Sequence, residues 1–211
     1  MNSSTLLSPT PVSQTMIDEL LNRFPQVMVL RVFVDPNVEG LREKYQSSVE
    51  KHNYNVLNGG YVDAGFDVFC AGNNTSEREN LIYGDSVPLV PYRPNKMDFA
   101  IACSATMHGY GRKSWSTGYY MYPRSSTGKT QMRLANSVGI IDSGYRGNLI
   151  GLFDVVNTEN DSEKVWARKF ERYVQICSPC LCPILVQLVE TKEELSGPTQ
   201  RGSGGFGSTG V

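Results

Sequence analysis

Between Val27 and Val189 the apolar residues fall in short runs rather than at helical spacing: "VMVLRVFV", "GFDVFC", "DFAIAC", "GYYMY", "SVGII", "NLIGLFDVV", "RYVQIC" and "ILVQLV". Each run is rich in β-branched or aromatic residues and is bounded by Gly, Asn, Pro or Asp, the punctuation of strands. Many short strands with little helix between them predict an antiparallel all-β fold, a β-barrel or jelly roll. Two stretches break the pattern. "TMIDELLNRF" sets Ile17, Leu20, Leu21 and Phe24 on one helical face, with Thr15 as N-cap, Asp18 three residues on and Pro25 as a stop. "LREKYQSSVEKH", from Leu41 to His52, is polar with scattered apolar positions and fits a second helix or a solvated loop. The chain therefore divides into a flexible lead and short helix (1–25), a barrel domain (26–190) and a glycine-rich arm (191–211).

A 211-residue chain that is 40% hydrophobic can bury one real core. Its formal net charge of −1 supplies no basic field, so no nucleic-acid partner is expected and an anion must be held by particular arginines. No apolar run reaches the length of a membrane span, and "MNSSTLLSPTPVSQ" lacks the basic flank and apolar stretch of a secretory signal. A cytoplasmic protein, with the nucleus open to it and no membrane partner, is the expectation. Five cysteines, an odd number, fit a reducing compartment. Cys177, Cys180 and Cys182 crowd into "CSPCLC", but His52 and His108 are distant in sequence and no second paired cysteine motif follows, so core thiols are expected over a zinc site.

The polar stretches between the runs carry the candidate chemistry. "YPRSSTGKT" ends like a P-loop, yet Pro123 stands where such a loop needs a glycine. What remains is Arg124 followed by Ser125 and Ser126, one charged fork and two neutral donors for successive phosphates, or an ordinary surface turn. "NSVGIIDSGYRGNLIGLF" reads as a strand, a turn through Ser143 and Gly144, and a returning strand. Asp142, beside that turn, is either a turn former or a carboxylate placed to take a proton from a water; Tyr145 supports a sugar ring or covers the barrel mouth. Asp67 in "DAGFDVF", and Arg172 and Gln175 in "FERYVQIC", pass by themselves as edge-of-strand polarity. The tail "RGSGGFGSTG" holds five glycines in ten residues and too little apolar surface to order itself. Its backbone can lie flat on a ligand while Arg201, Ser208 and Thr209 meet phosphate and Phe206 stacks on a planar ring. A linker would share that composition.

Taken in order, "AGFD", "PRSS", "GIIDSGYRGN", "ERYVQI" and "RGSGGFGSTG" resemble the five ordered motifs of the homotrimeric dUTPase family, the dUTP pyrophosphatases. The resemblance runs from about Ala64 to the C-terminus and implies a jelly-roll trimer with three sites between subunits, each closed by a glycine-rich tail from another subunit. It implies that Asp142 activates the water attacking the α-phosphorus of dUTP, giving dUMP and pyrophosphate, with Mg²⁺ bridging the triphosphate. Uracil would be read by backbone groups between Asn136 and Asp142, Gly139 and Ile141 among them, and Tyr145 would lie beneath the deoxyribose. Ser125 and Gln175 fall on positions contacting the phosphate chain, Arg124 on one supporting it, and Asp67 on one near the water shell of the metal, for which no direct protein ligand is expected. Ser126 and Gly207 belong to the same substrate-binding set, Arg201 and Ser208 would clasp the terminal phosphate, and Phe206 would stack on uracil.

The chain departs from the family pattern in places. Gly144 stands where many relatives carry a second acid, and Phe170 replaces a glycine that commonly precedes the acid–Arg pair of the fourth motif. The stretch from Val68 to Tyr122, containing "GYGRKSW", is longer than usual, and the first sixty residues lie outside the motifs. Two rival readings use the same scaffold. A dCTP deaminase would need a glutamate where Leu152 stands, and a catalytically silent nucleotide sensor or interaction protein would have no need of a water-activating Asp142.

Overall fold

The computed structural model describes residues 11–72, 86–156 and 165–195. In chain order it runs α1 (Gln14–Leu21), β1 (Gln26–Val34), α2 (Leu41–Asn58), β2 (Gly65–Phe69), β3 (Ser86–Leu89), β4 (Asn95–Gly109), β5 (Lys113–Thr117), β6 (Tyr119–Pro123), β7 (Met132–Leu134), β8 (Gly139–Ile141), β9 (Asn148–Val155), β10 (Val165–Arg168), β11 (Arg172–Cys177) and β12 (Ile184–Val189). All eight apolar runs of the sequence fall on strands. One sheet has the order β12-β1-β4-β9-β7, with β5 on β4; a second has the order β2-β11-β6-β8; β3 and β10 form a two-stranded ribbon. Met28, Leu30 and Ile101 of the first sheet share a single buried core with Phe66, Met121 and Ile176 of the second. This is the expected all-β class, a double-sheet arrangement in keeping with a jelly roll.

The strand β1 is buried on both faces. Met28, Leu30, Val32 and Val34 point into the shared core, while Val27 and Val29 pack with Ile17, Leu20 and Leu21 of α1 and Val56 of α2. That double burial is why its sequence is nearly continuous in apolar residues. It also hides strand direction: β1 pairs β12 in parallel, from Met28↔Ile184 to Phe33↔Val189, where an antiparallel neighbour is expected. A second difference concerns α1. Ser13, in extended conformation, caps it by accepting a 3.3 Å hydrogen bond at Oγ from the Met16 N–H, so Thr15 lies inside the first turn. Neighbouring hydroxyl residues offer the same cap chemistry, and only the backbone angle separates them.

The polar stretch after β1 is a helix, and it extends to Asn58. Its buried stripe is Leu41, Tyr45, Val49, His52, Asn53 and Val56, so two of the positions facing inward are polar. They are there because β12 is an edge strand whose outer backbone groups need partners. Asn53 Nδ2 donates to the Val186 carbonyl at 2.8 Å, and the Val186 N–H donates to Asn53 Oδ1 at 2.9 Å. His52 Nε2 donates to the Ile184 carbonyl at 2.9 Å. The same helix serves the second sheet, where the Phe69 N–H of edge strand β2 donates to Tyr45 Oη at 3.0 Å. Both ends of α2 are held as well. Arg42 donates to the Val189 carbonyl at 3.2 Å, and Arg23 donates to the Leu57 and Gly59 carbonyls at 2.8 and 2.7 Å, placing a cation at the helix C-terminus.

Replacing Asn53 with Ala strips partners from two buried backbone groups and is expected to lower unfolding stability by about 2–4 kcal/mol, measured by urea denaturation. Burial holds the pKa of His52 below its ordinary 6.5, against the opposing pull of the Ile184 carbonyl and of Asp63 and Asp67. The unfolded chain therefore binds the extra proton more readily, and the contribution of His52 is complete above pH 6.5 and lost as pH falls below it. Stability curves of wild type and His52→Gln should converge on going from pH 7.5 to pH about 5; parallel curves would remove this role.

Candidate active site

The second sheet sets four of the sequence motifs side by side. Asp67 lies on β2, Gln175 on β11, Arg124 just past the end of β6, and Asp142 just past the end of β8. Gln175 is in register with Asp67 on one side and Tyr122 on the other. Gly65, two residues before Asp67, lets that glutamine approach the backbone closely: its Oε1 would lie 2.6 Å from an added Cβ, so a larger residue there would push the Gln175 amide aside. Asp67 itself is held by two arginines: Arg124 Nε is 2.6 Å from Oδ1 and Arg172 Nη1 is 2.9 Å from Oδ2. These side chains are only half-buried, so the pairs add little stability and act chiefly by fixing the directions of both guanidinium groups. Arg172, which in sequence looks like edge polarity, is thus part of the cluster.

The turn after Arg124 is pinned from beneath. The Arg124 N–H donates to the Tyr173 carbonyl at 2.9 Å, and the buried Thr127 Oγ1 donates to the same carbonyl at 2.6 Å. Ser125 and Ser126 are left exposed above this anchor. Ser126 Oγ accepts from Arg124 Nη1 at 3.2 Å, so it steadies the arginine. Asp67, Arg124, Ser125, Arg172 and Gln175 line one side of a cleft of about 380 Å³. The opposite side is formed by Ser48, Lys51 and Asn55 of α2 with Asp63, none of which the sequence motifs mark. Spacing of three and four residues along a polar helix was the available signal, and it is indistinguishable from a solvated face.

The third motif is built differently from its sequence reading. Residues Gly139–Ile141 pair antiparallel with Met121–Tyr119 of β6, whereas β9 pairs with β4 and β7 of the other sheet. The turn at Ser143 and Gly144 is therefore a corner between sheets, not the tip of a paired hairpin. Two apolar runs flanking a turn look alike whether they pair with each other or with third strands. The Tyr145 N–H donates to the Asp142 carbonyl at 3.0 Å to close the corner. Tyr145 Oη donates to the Asn148 carbonyl at 2.8 Å while its ring packs on the core, and Arg146 Nη1 donates to the Ser143 and Tyr145 carbonyls at 2.9 and 2.8 Å. Asp142 and Asn136 are exposed, and Gly139 and Ile141 lie in the β6–β8 ladder.

The structure keeps the two groups of residues apart. Ile141 pairs with Tyr119 at the start of β6, and Arg124 follows its end. Five residues of extended chain separate them, about 16 Å at the rise of a strand. Asp142 does not line the cleft of Asp67, Arg124 and Gln175. Arg201, Phe206, Gly207 and Ser208 lie outside the described residues. Among the described residues no three His, Cys, Asp or Glu side chains converge as metal ligands, and Cys177, Cys180 and Cys182 are free thiols. No described helix is long and apolar enough to cross a membrane.

No family model matches the chain. Among individual proteins, it is 30% identical over 153 residues to the deoxyuridine 5'-triphosphate nucleotidohydrolase of an African swine fever virus isolate (Tick/Malawi), a match covering 70% of this chain and 80% of the relative. The corresponding protein of the Pretoriuskop isolate is 27% identical over 188 residues, covering 87% of this chain and 96% of the relative, too much of the chain to leave α2 out. The Alkaliphilus metalliredigens enzyme is 39% identical over 90 residues, which span 57% of its length. A solved dUTPase of Staphylococcus bacteriophage 80alpha is similar at 24% identity over 71% of this chain and 87% of that one, with a TM-score of 0.38. With four of its ordered motifs on or beside the strands of one sheet and a match of this extent to the viral enzyme, the chain belongs to the deoxyuridine 5'-triphosphate nucleotidohydrolase, or dUTPase, family.

Proposed function

We propose that the protein hydrolyses dUTP to dUMP and pyrophosphate at sites made between copies of the chain in a homotrimer, so limiting uracil in DNA and supplying dUMP for thymidylate. The observation that carries the shared site is the placement of Asp142 and the Asp67–Arg124–Gln175 cleft at opposite ends of β6. The cleft of one subunit is completed by the Asp142 corner of a second, with the C-terminal residues Arg201, Phe206, Gly207 and Ser208 supplied to close it.

In this arrangement Ser125 and the Gln175 amide meet the phosphate chain, and Arg124 is aimed by its bonds to Asp67 and Ser126. Asp142 orients a water in line with the α-phosphorus and takes its proton as the bond to the pyrophosphate oxygen breaks. Mg²⁺ carried by the triphosphate substrate would offset the repulsion between that water and the phosphate oxygens. The residues present fit a metal carried by substrate: each Asp67 oxygen faces an arginine, so Asp67 would serve the ion's water shell and not ligate it directly. Backbone groups from Asn136 to Asp142 read uracil, and Tyr145, fixed on the corner, supports the deoxyribose. Leu152, on β9, has no group able to move a proton, which disfavours deamination.

Purified protein with Mg²⁺ should release pyrophosphate from dUTP at least about 100-fold faster than from dTTP, dCTP or UTP; equal rates on all four would reject the specificity. Asp142→Asn should lower kcat by about 10²–10⁴-fold while an imido analogue of dUTP still binds, and near-normal turnover would take the base role from Asp142.

A further inference from the structure

The α2 wall of the cleft carries a cation that the five motifs do not account for. Ser48, Lys51 and Asn55 lie three and four residues apart, on a face of α2 that flanks its buried stripe, and all three line the cleft with Arg124, Ser125 and Gln175. The position of Lys51 is set by its neighbour. His52 is fixed to the Ile184 carbonyl at 2.9 Å and stands edge-on to Phe66, with ring centroids 5.2 Å apart, and Phe66 immediately precedes Asp67 on β2. The backbone turn that bears Lys51 is thereby held at the level of the Asp67 cluster.

The cleft holds three cations, Lys51, Arg124 and Arg172, and two carboxylates, Asp63 and Asp67. Both arginines are engaged by Asp67. The Lys51 ammonium, by contrast, makes no ion pair or hydrogen bond among the described residues. A compact charge on a four-carbon stem, emerging from a rigid helix beside an arginine and hydroxyl set, is suited to a phosphate oxygen. We infer that Lys51 is a substrate-binding residue of this chain, engaging the phosphates of the nucleotide beyond the α-phosphate from the α2 side of the cleft. The inference rests on the dUTP-hydrolysing reading and adds to it a phosphate contact from the N-terminal region, which the motifs leave without a role.

The test compares binding of imido-dUTP and of dUMP, each with Mg²⁺, to the full chain as wild type, Lys51→Gln and Lys51→Arg, with thermal melting as a control on folding. Lys51→Gln should weaken the triphosphate about tenfold and leave dUMP unchanged, with Lys51→Arg restoring most of the loss and all three proteins melting alike. A Lys51→Gln protein that binds the triphosphate as wild type does, or loses both ligands equally, would overturn the inference alone. Wild-type protein with no affinity for imido-dUTP would sink the functional reading and this contact with it.

Discussion

The paired hydrogen bonds between Asn53 and Val186 are the constraint around which the molecule is arranged. A sheet that ends in an apolar strand exposes a row of N–H and C=O groups, and such an edge must be covered, charged or paired with another chain. Here a side-chain amide supplies the donor and acceptor of a missing strand, and His52 and Tyr45 extend the cover to Ile184 and to the edge of the second sheet. Burying an amide is costly unless both its ends are satisfied, and here both are. One helix therefore closes two edges, fixes the two sheets relative to each other, and brings its polar face against the cleft.

Within the cleft, stability and function make different demands on the same charges. The Asp67 pairs with Arg124 and Arg172 are solvent-accessible, and such pairs contribute roughly 0–1 kcal/mol each to folding. Their importance is directional. A guanidinium held on one edge by a carboxylate presents its remaining N–H groups along a fixed line, so little conformational entropy is lost when a phosphate arrives. The Tyr173 carbonyl, accepting from both Arg124 and Thr127, does the same for the serine-bearing turn. The site is made rigid by backbone contacts below it rather than by strong contacts among its own side chains.

The strand runs and the residue types of the motifs were legible in the sequence because alternating or continuous apolar patterns and Arg-Ser-Ser or Asp-turn chemistry are local properties. What could not be read was pairing. The parallel β1–β12 pair, the corner after β8 and the α2 seal all depend on which strand lies beside which, and a run buried on both faces gives no sign of it. Phe170 shows a subtler case. It keeps the left-handed backbone, φ 66°, that a glycine takes without strain, at a cost on the order of 1–2 kcal/mol. Its ring rests against Gly40, itself at φ 75°, where an added Cβ would come within 3.1 Å, and the ammonium groups of Lys44 and Lys169 lie 5.4 and 5.0 Å from the ring centroid. The side chain that replaces the glycine of the fourth motif is thus given room by a glycine at the start of α2, 130 residues away in the chain, while the backbone strain at Phe170 stays.

The strand β6 acts as the ruler of the proposed shared site. Its Tyr119 and Met121 are buried in the common core, and its far end leads through Pro123 to the pinned arginine. The corner bearing Asp142 is referenced to this strand through the three-residue ladder of β8. A slip of one residue there would shift the carboxylate by about 3.3 Å and exchange the two faces of β8. Ile140, 70% exposed, would turn inward, and Ile141 would leave the core it packs against. Since the exchanged residues are both isoleucine, the sharper constraint is Gly139: a slip in either direction sets Val138 or Ile140 in its place, where a Cβ would already lie 3.3 Å from that of Met121. In the proposed shared site the carboxylate needs such a reference, since an error of one strand residue already exceeds the length of the hydrogen bond it has to make.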